Sequence, residues 1–101
     1  IYTSFGDVKF QPSKEDYIQL EEVLNRAYND FTERLKLYCP ELGKEEIIIC
    51  CLLKIGVPIK TIGCYLQRSP SALSMTRKRL YAKFLKKEGK PSDFDTFIRK
   101  F

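Results

Sequence analysis

At 101 residues the chain is long enough for one domain, or one domain and a tail, and 44% hydrophobic content supports a packed core rather than disorder. It has no histidine, which excludes Ser-His-Asp and Cys-His nucleophile sites, zincin motifs and zinc fingers built on two Cys and two His. The net charge is +5, distributed as −3 over residues 1–59, +8 over residues 60–90, and balance over 91–101. A basic block of this kind favours a polyanion partner through counterion release.

The four cysteines, Cys39, Cys50, Cys51 and Cys64, form no Cys-x-x-Cys pair. They read as small buried apolar residues in a reducing cytosol, and no metal or cofactor is expected. The densest apolar run, 47–55, is short and interrupted by Lys54, so no membrane span is expected. No signal peptide is visible. The chain does not open with Met and reads as an excised, cytoplasmic piece of a longer protein, which leaves room for a sensor or anchor upstream.

Residues 1–12 contain Tyr2 and Phe5 without a clear period and read as an upstream linker. Ser13 then caps a helix, with Asp16 three positions on as a short-armed capping box. The stripe Leu20, Leu24, Ala27, Phe31, Leu35 predicts one long amphipathic helix over 13–39, flanked by Val23, Tyr28 and Tyr38 and ended by Cys39-Pro40.

A second helix follows Gly43. Its body, IIICCLLKI, is apolar almost all round and should be the central buried element. The β-branched run Ile47-Ile48-Ile49 has strand propensity, but Gly43 and Gly56 bracket about three turns, and no strand partner lies nearby.

A third, short helix opens at Pro58 and carries Ile59, Ile62, Cys64, Tyr65 and Leu66. Gln67-Arg68-Ser69 turns the chain. Ser69 caps a fourth helix with Pro70 in its first position. Leu73, Leu80 and Phe84 form one stripe of that helix, with Ala72, the Arg77 stem and Tyr81 beside it. The opposite face shows Ser71, Ser74, Met75, Lys78 and Ala82. Gly89 and Pro91 end the helix. Ser92, with Asp95 three residues later, reads as the cap of a last helix over 93–100, whose Phe94, Phe97, Ile98 and Phe101 pack back on the core or the long first helix, or else form a dimer contact.

The architecture expected is therefore all-α: a long N-terminal helix, then a compact helix-turn-helix bundle over 42–101, about five helices in total. No Asp or Glu occurs between Glu46 and Glu88, an interval of 41 residues that spans the short helix, the turn and the basic helix. DNA binding needs cations and free amides for phosphates, and small or polar side chains for base edges; this interval offers all of them.

Residues 42–84 also resemble the DNA-binding domain of LuxR/FixJ (GerE-like) regulators. The resemblance is carried by Leu42, Glu46, Gly56, Lys60, Ile62, Leu66, Ser69, Leu73, Leu80, Lys83 and Phe84, without a gap. The NDFTERL and CPELGKEE stretches and the DFDTFIRKF ending are similar to the C-terminal domain of large bacterial regulators with tetratricopeptide repeats and a membrane-spanning helix. The resemblance implies a four-helix fold, its middle two helices the helix-turn-helix and its last commonly used for dimerisation.

It also implies double-stranded DNA as partner, with Ser74, Met75 and Lys78 facing bases. Lys60, Thr61, Ser69, Ser71, Thr76, Arg77 and Arg79 are the expected phosphate contacts, Arg77 dropping out if it packs inward. A homodimer is expected through the C-terminal helix or the long N-terminal one. The chain departs from the family where Gly43 replaces a frequent Thr, Pro58-Ile59 a frequent Ser-Asn, and 72–76 a frequent Thr-Val-Lys-x-His. Ser74 and Met75 are less polar than usual readers, so preference should lean on a thymine methyl, Lys78 and DNA shape. The competing expectation is a protein-interaction or dimerisation module with an incidental basic face. An enzyme is not expected: histidine and a phosphate-binding glycine loop are missing, no paired carboxylates share an apolar face, and Glu21-Glu22 and Glu45-Glu46 read as solvated helix charges.

Overall fold

The computed structural model describes residues 14–101; the expected linker and the Ser13 cap lie outside the described residues. Among those described, six helices and no strand occur: α1 (Lys14–Ala27), α2 (Phe31–Tyr38), α3 (Lys44–Lys54), α4 (Ile59–Leu66), α5 (Pro70–Leu85) and α6 (Pro91–Lys100). The all-α expectation holds. Among the same residues, no helix is long and apolar enough to cross a membrane.

The single long helix over 13–39 does not form; α1 and α2 stand in its place. The chain breaks at Asn29 and Asp30, which take left-handed backbone at φ 57° and 58°. Asn and Asp tolerate that region better than other non-glycine residues. Asn25 stabilises the break, since its Oδ1 accepts from both the backbone N–H and the hydroxyl of Thr32, each at 2.8 Å. Arg34 then reaches back and donates to the Tyr28 and Asn29 carbonyls at 2.8 and 2.9 Å. Most of the apolar stripe still faces inward across the break: Leu24, Phe31 and Leu35 are buried and Leu20 half-buried, whereas Ala27, just before the break, is exposed.

The β-branched run resolves as helix. In α3 every residue from Ile47 to Leu53 is buried, and α1, α2, α4 and α6 all pack on it. A helix buried on all sides can be apolar all round, which explains why its periodicity is weak. At its start the Glu46 carboxylate accepts from the Gly43 N–H at 2.8 Å. At its end Gly56 adopts φ +88°, and the N–H of Val57 bonds back to the Leu52 carbonyl at 3.0 Å.

Packing around α3 fixes the thiols. Burial pushes the Cys51 thiol up to about 12, with Glu21 adding to the effect and Lys36 opposing it. Burial raises the Cys50 thiol well above its usual range, helped by Cys51, Glu46 and Cys39. In the unfolded chain these thiols ionise near pH 9, whereas the folded state keeps the Cys51 thiol protonated to about 12. The Cys51 contribution is thus complete below about pH 9 and falls through the window up to about 12. The Cys51 thiol is expected to cost on the order of 1 kcal/mol per pH unit there, and Cys50 adds to the decline in the same direction. Urea midpoints across that window, compared with a Cys50→Ala/Cys51→Ala variant, check this: the variant should show the shallower alkaline decline.

The last helix differs from expectation at its start. It begins at Pro91, two residues early, and the cap acceptor is Asp93, which takes the Lys90 N–H at 2.8 Å. Asp95 has no capping role and turns inward. Phe94 and Ile98 are fully buried, while Phe97 and Phe101 pack half-buried against Tyr38 and Phe84. The expectation that these rings pack back on the core holds. Two cations hold the far end of α6: Arg34 donates to the Phe101 carbonyl at 2.6 Å and Lys54 to the Arg99 carbonyl at 2.8 Å. Lys54 also lies over the Tyr28 and Phe31 rings, and its pKa is lowered by burial and by Arg34.

Candidate nucleic-acid interface

The short α4, the turn 67–69 and the longer α5 form one closed unit. Pro58 does not occupy the first turn of α4 but precedes it, in extended backbone. After Leu66 the chain enters left-handed backbone at Gln67, φ 56°, and the Arg68 N–H bonds to the Gly63 carbonyl at 2.8 Å. That return brings the turn against Gly63: a Cβ there would lie 2.9 Å from the Arg68 carbonyl oxygen and 3.4 Å from a Leu73 methyl. Gly63→Ala is therefore expected to cost about 1–3 kcal/mol despite the better helix propensity of Ala. A urea titration checks it, and an unchanged midpoint would show that the turn can yield.

Ser69 caps α5 as expected, its Oγ accepting the Ala72 N–H at 3.1 Å, with Pro70 in the first turn. Leu73, Arg77, Leu80 and Phe84 make up the buried stripe of α5, seated on α4 and α6. The opposite line is then forced outward by helix geometry. Ser71, Met75, Lys78 and Ala82 are exposed and Ser74 is half-buried; Met75 keeps 70% of its surface, unusual for an apolar side chain with a core nearby.

Of the expected phosphate contacts, Lys60 and Ser71 are exposed at the starts of α4 and α5, and Thr61 is half-buried in the first turn of α4. Thr76 and Arg79 share a flank of α5 with Lys83, the first half-buried and the second exposed. Lys60, Lys78 and Arg79 make no ion pair among the described residues. Ser69 is exposed and keeps its O–H for donation while its oxygen serves the cap.

No family model, curated protein or solved structure matches this chain.

Arg77 must be removed from the phosphate-contact set. Its side chain is 9% exposed and its guanidinium forks onto Asp95 of α6, Nε to Oδ1 at 2.9 Å and Nη2 to Oδ2 at 2.6 Å. The stem lies on the apolar stripe as expected, but the head follows it inward because a carboxylate waits there. Asp95 is the partner that sequence reading missed, having taken it for part of a cap. The available signal was positional: Asp95 borders the Phe94–Ile98 side of α6, and Arg77 lies among Leu73, Leu80 and Phe84. Opposite charges on two apolar stripes are a reason to look for a buried pair.

The nearest carboxylates are also engaged. Arg68 donates to both oxygens of Glu45 at 2.7 and 2.8 Å, and that contact raises its pKa. Lys83 pairs with Glu46 at 3.3 Å, joining the far half of α5 to the start of α3. The two acids that flank the acid-free interval on its N-terminal side are therefore each countered by a cation from within it.

Proposed function

We propose that this chain binds double-stranded DNA sequence-specifically, with α5 in the major groove, as the output domain of a bacterial transcriptional regulator. The supporting observation is the outward line of α5. Ser71, Ser74, Met75 and Lys78 lie away from a buried stripe, beside Lys60 and Arg79, which make no ion pair among the described residues, and no acid occurs from 47 to 87. Small side chains let a helix enter the groove closely, Lys78 donates to base acceptors, and Met75 suits a thymine methyl. Lys60, Thr61, Ser69, Ser71, Thr76 and Arg79 grip phosphates and set register. The reading includes a cytoplasmic location, no catalytic step and no cofactor. The resemblance to LuxR/FixJ domains adds to it.

A regulator of this kind acts as a dimer on two half-sites. A second copy docking on the outer side of α6 would meet Ser92, Asp93, Thr96, Arg99 and Lys100, a polar surface. The alternative reading, an interaction or dimerisation module, draws on exposed apolar side chains of α1 and α2: Val23 at 60% and Leu37 at 83%. Selection of bound sequences from a random duplex pool, with sedimentation of the free protein, decides between them. An enriched motif supports DNA binding. A tight dimer that enriches nothing supports the alternative.

A further inference from the structure

We propose that the buried Arg77–Asp95 pair positions the reading face of α5, so that Asp95, which is itself sealed from any duplex, sets sequence discrimination. The inference rests on the DNA-binding reading above and deepens it.

Stability alone does not account for the pair. Taking two charges out of water is costly, and apolar residues of similar volume at such positions are often neutral or more stabilising. Leu73, Leu80 and Phe84 already supply the apolar contact along this stripe. What the pair adds is direction. Apolar contacts let a helix roll or slide by fractions of an ångström, whereas a guanidinium fork on a carboxylate fixes both donors at once. Here both bonds are short, 2.9 and 2.6 Å, and among the described residues no buried side-chain polar atom lacks a partner.

The location matters as much as the geometry. Arg77 immediately precedes Lys78 and lies one turn after Ser74, so a roll of α5 at Arg77 displaces both in the same sense. Base-edge recognition needs side chains held to within about 0.5 Å. Phosphate contacts from flexible lysines tolerate more. The pair should therefore govern discrimination between sequences and leave general duplex affinity alone.

The test uses the whole chain, a duplex carrying the pool-selected site and a scrambled duplex of equal length, at one salt concentration. Arg77→Met/Asp95→Leu replaces the pair with apolar volume. We expect it to be folded at least as stably as the parent by urea titration and to bind the scrambled duplex equally well. Its preference for the selected site should drop about tenfold or more, the size of one misplaced base contact. A folded double variant with the parent's preference overturns the proposal. If that variant does not fold, Asp95→Glu decides, because it keeps the charge and shifts the carboxylate by one methylene. Reduced preference supports positioning, and unchanged preference overturns it. A parent that prefers no sequence removes the DNA-binding reading itself, a separate result.

Discussion

Asp95→Ala is expected to remove about 3–5 kcal/mol of stability, because it leaves the Arg77 guanidinium buried without a counter-charge. Domains of this size are stable by about 5–15 kcal/mol in total, so the variant should sit near the edge of unfolding. The loss is not that of an ordinary surface ion pair, which is worth about 0–1 kcal/mol. Both side chains here are only 9% exposed, so water cannot replace the missing carboxylate. Arg77→Ala should also destabilise strongly, through loss of its packed stem and an orphaned Asp95. The measurement is a urea or thermal transition for each single variant and for Arg77→Met/Asp95→Leu. The singles should fall far below the parent while the double does not. If the singles lose less than about 1 kcal/mol, the pair is hydrated in solution and the buried geometry is wrong.

Substitutions on the outward line should separate into two kinds. Lys78→Ala is expected to relax sequence preference, costing about 1–3 kcal/mol against the best site and little against other duplexes. Lys60→Ala and Arg79→Ala should weaken every duplex alike and reduce the slope of log affinity against log salt by about one unit each. The distinction comes from grouping. Lys78 shares the exposed side of α5 with Ser71 and Ser74, Lys60 stands at the start of α4, and Arg79 lies on the other side of the outward line, with Thr76 and Lys83. Fluorescence anisotropy over a salt series reads both effects. If all three variants match the parent on every duplex, the basic interval is a solvated surface and the assignment fails.

The elements were largely legible because their signals are local. Gly56, Ser69 and Pro70 act within a few residues of themselves, and each punctuates the chain where expected. The inward stripe Leu73, Leu80, Phe84 followed from helical period alone, which also placed Ser71, Met75 and Lys78 outside. The break between α1 and α2 was less visible, since the stripe of Leu24, Phe31 and Leu35 runs through it in phase. Its local sign was the Asn29-Asp30 dipeptide, a weak helix former, but the break is secured by Asn25 and Arg34 reaching across it.

What the sequence by itself determined, then, is the all-α class, the order of most helices, the acid-free basic interval and the outward face of α5. Only the tertiary structure decided which charges are available to a partner. Arg77 and Lys78 are adjacent, and both count as cations in any composition. One turns inward because α6 places Asp95 opposite it; the other makes no ion pair among the described residues. Glu45 and Glu46 are likewise countered by Arg68 and Lys83, residues 23 and 37 positions away. A charge's partner depends on distances that only folding sets, and residues that far apart along the chain meet only when α3, α5 and α6 pack together.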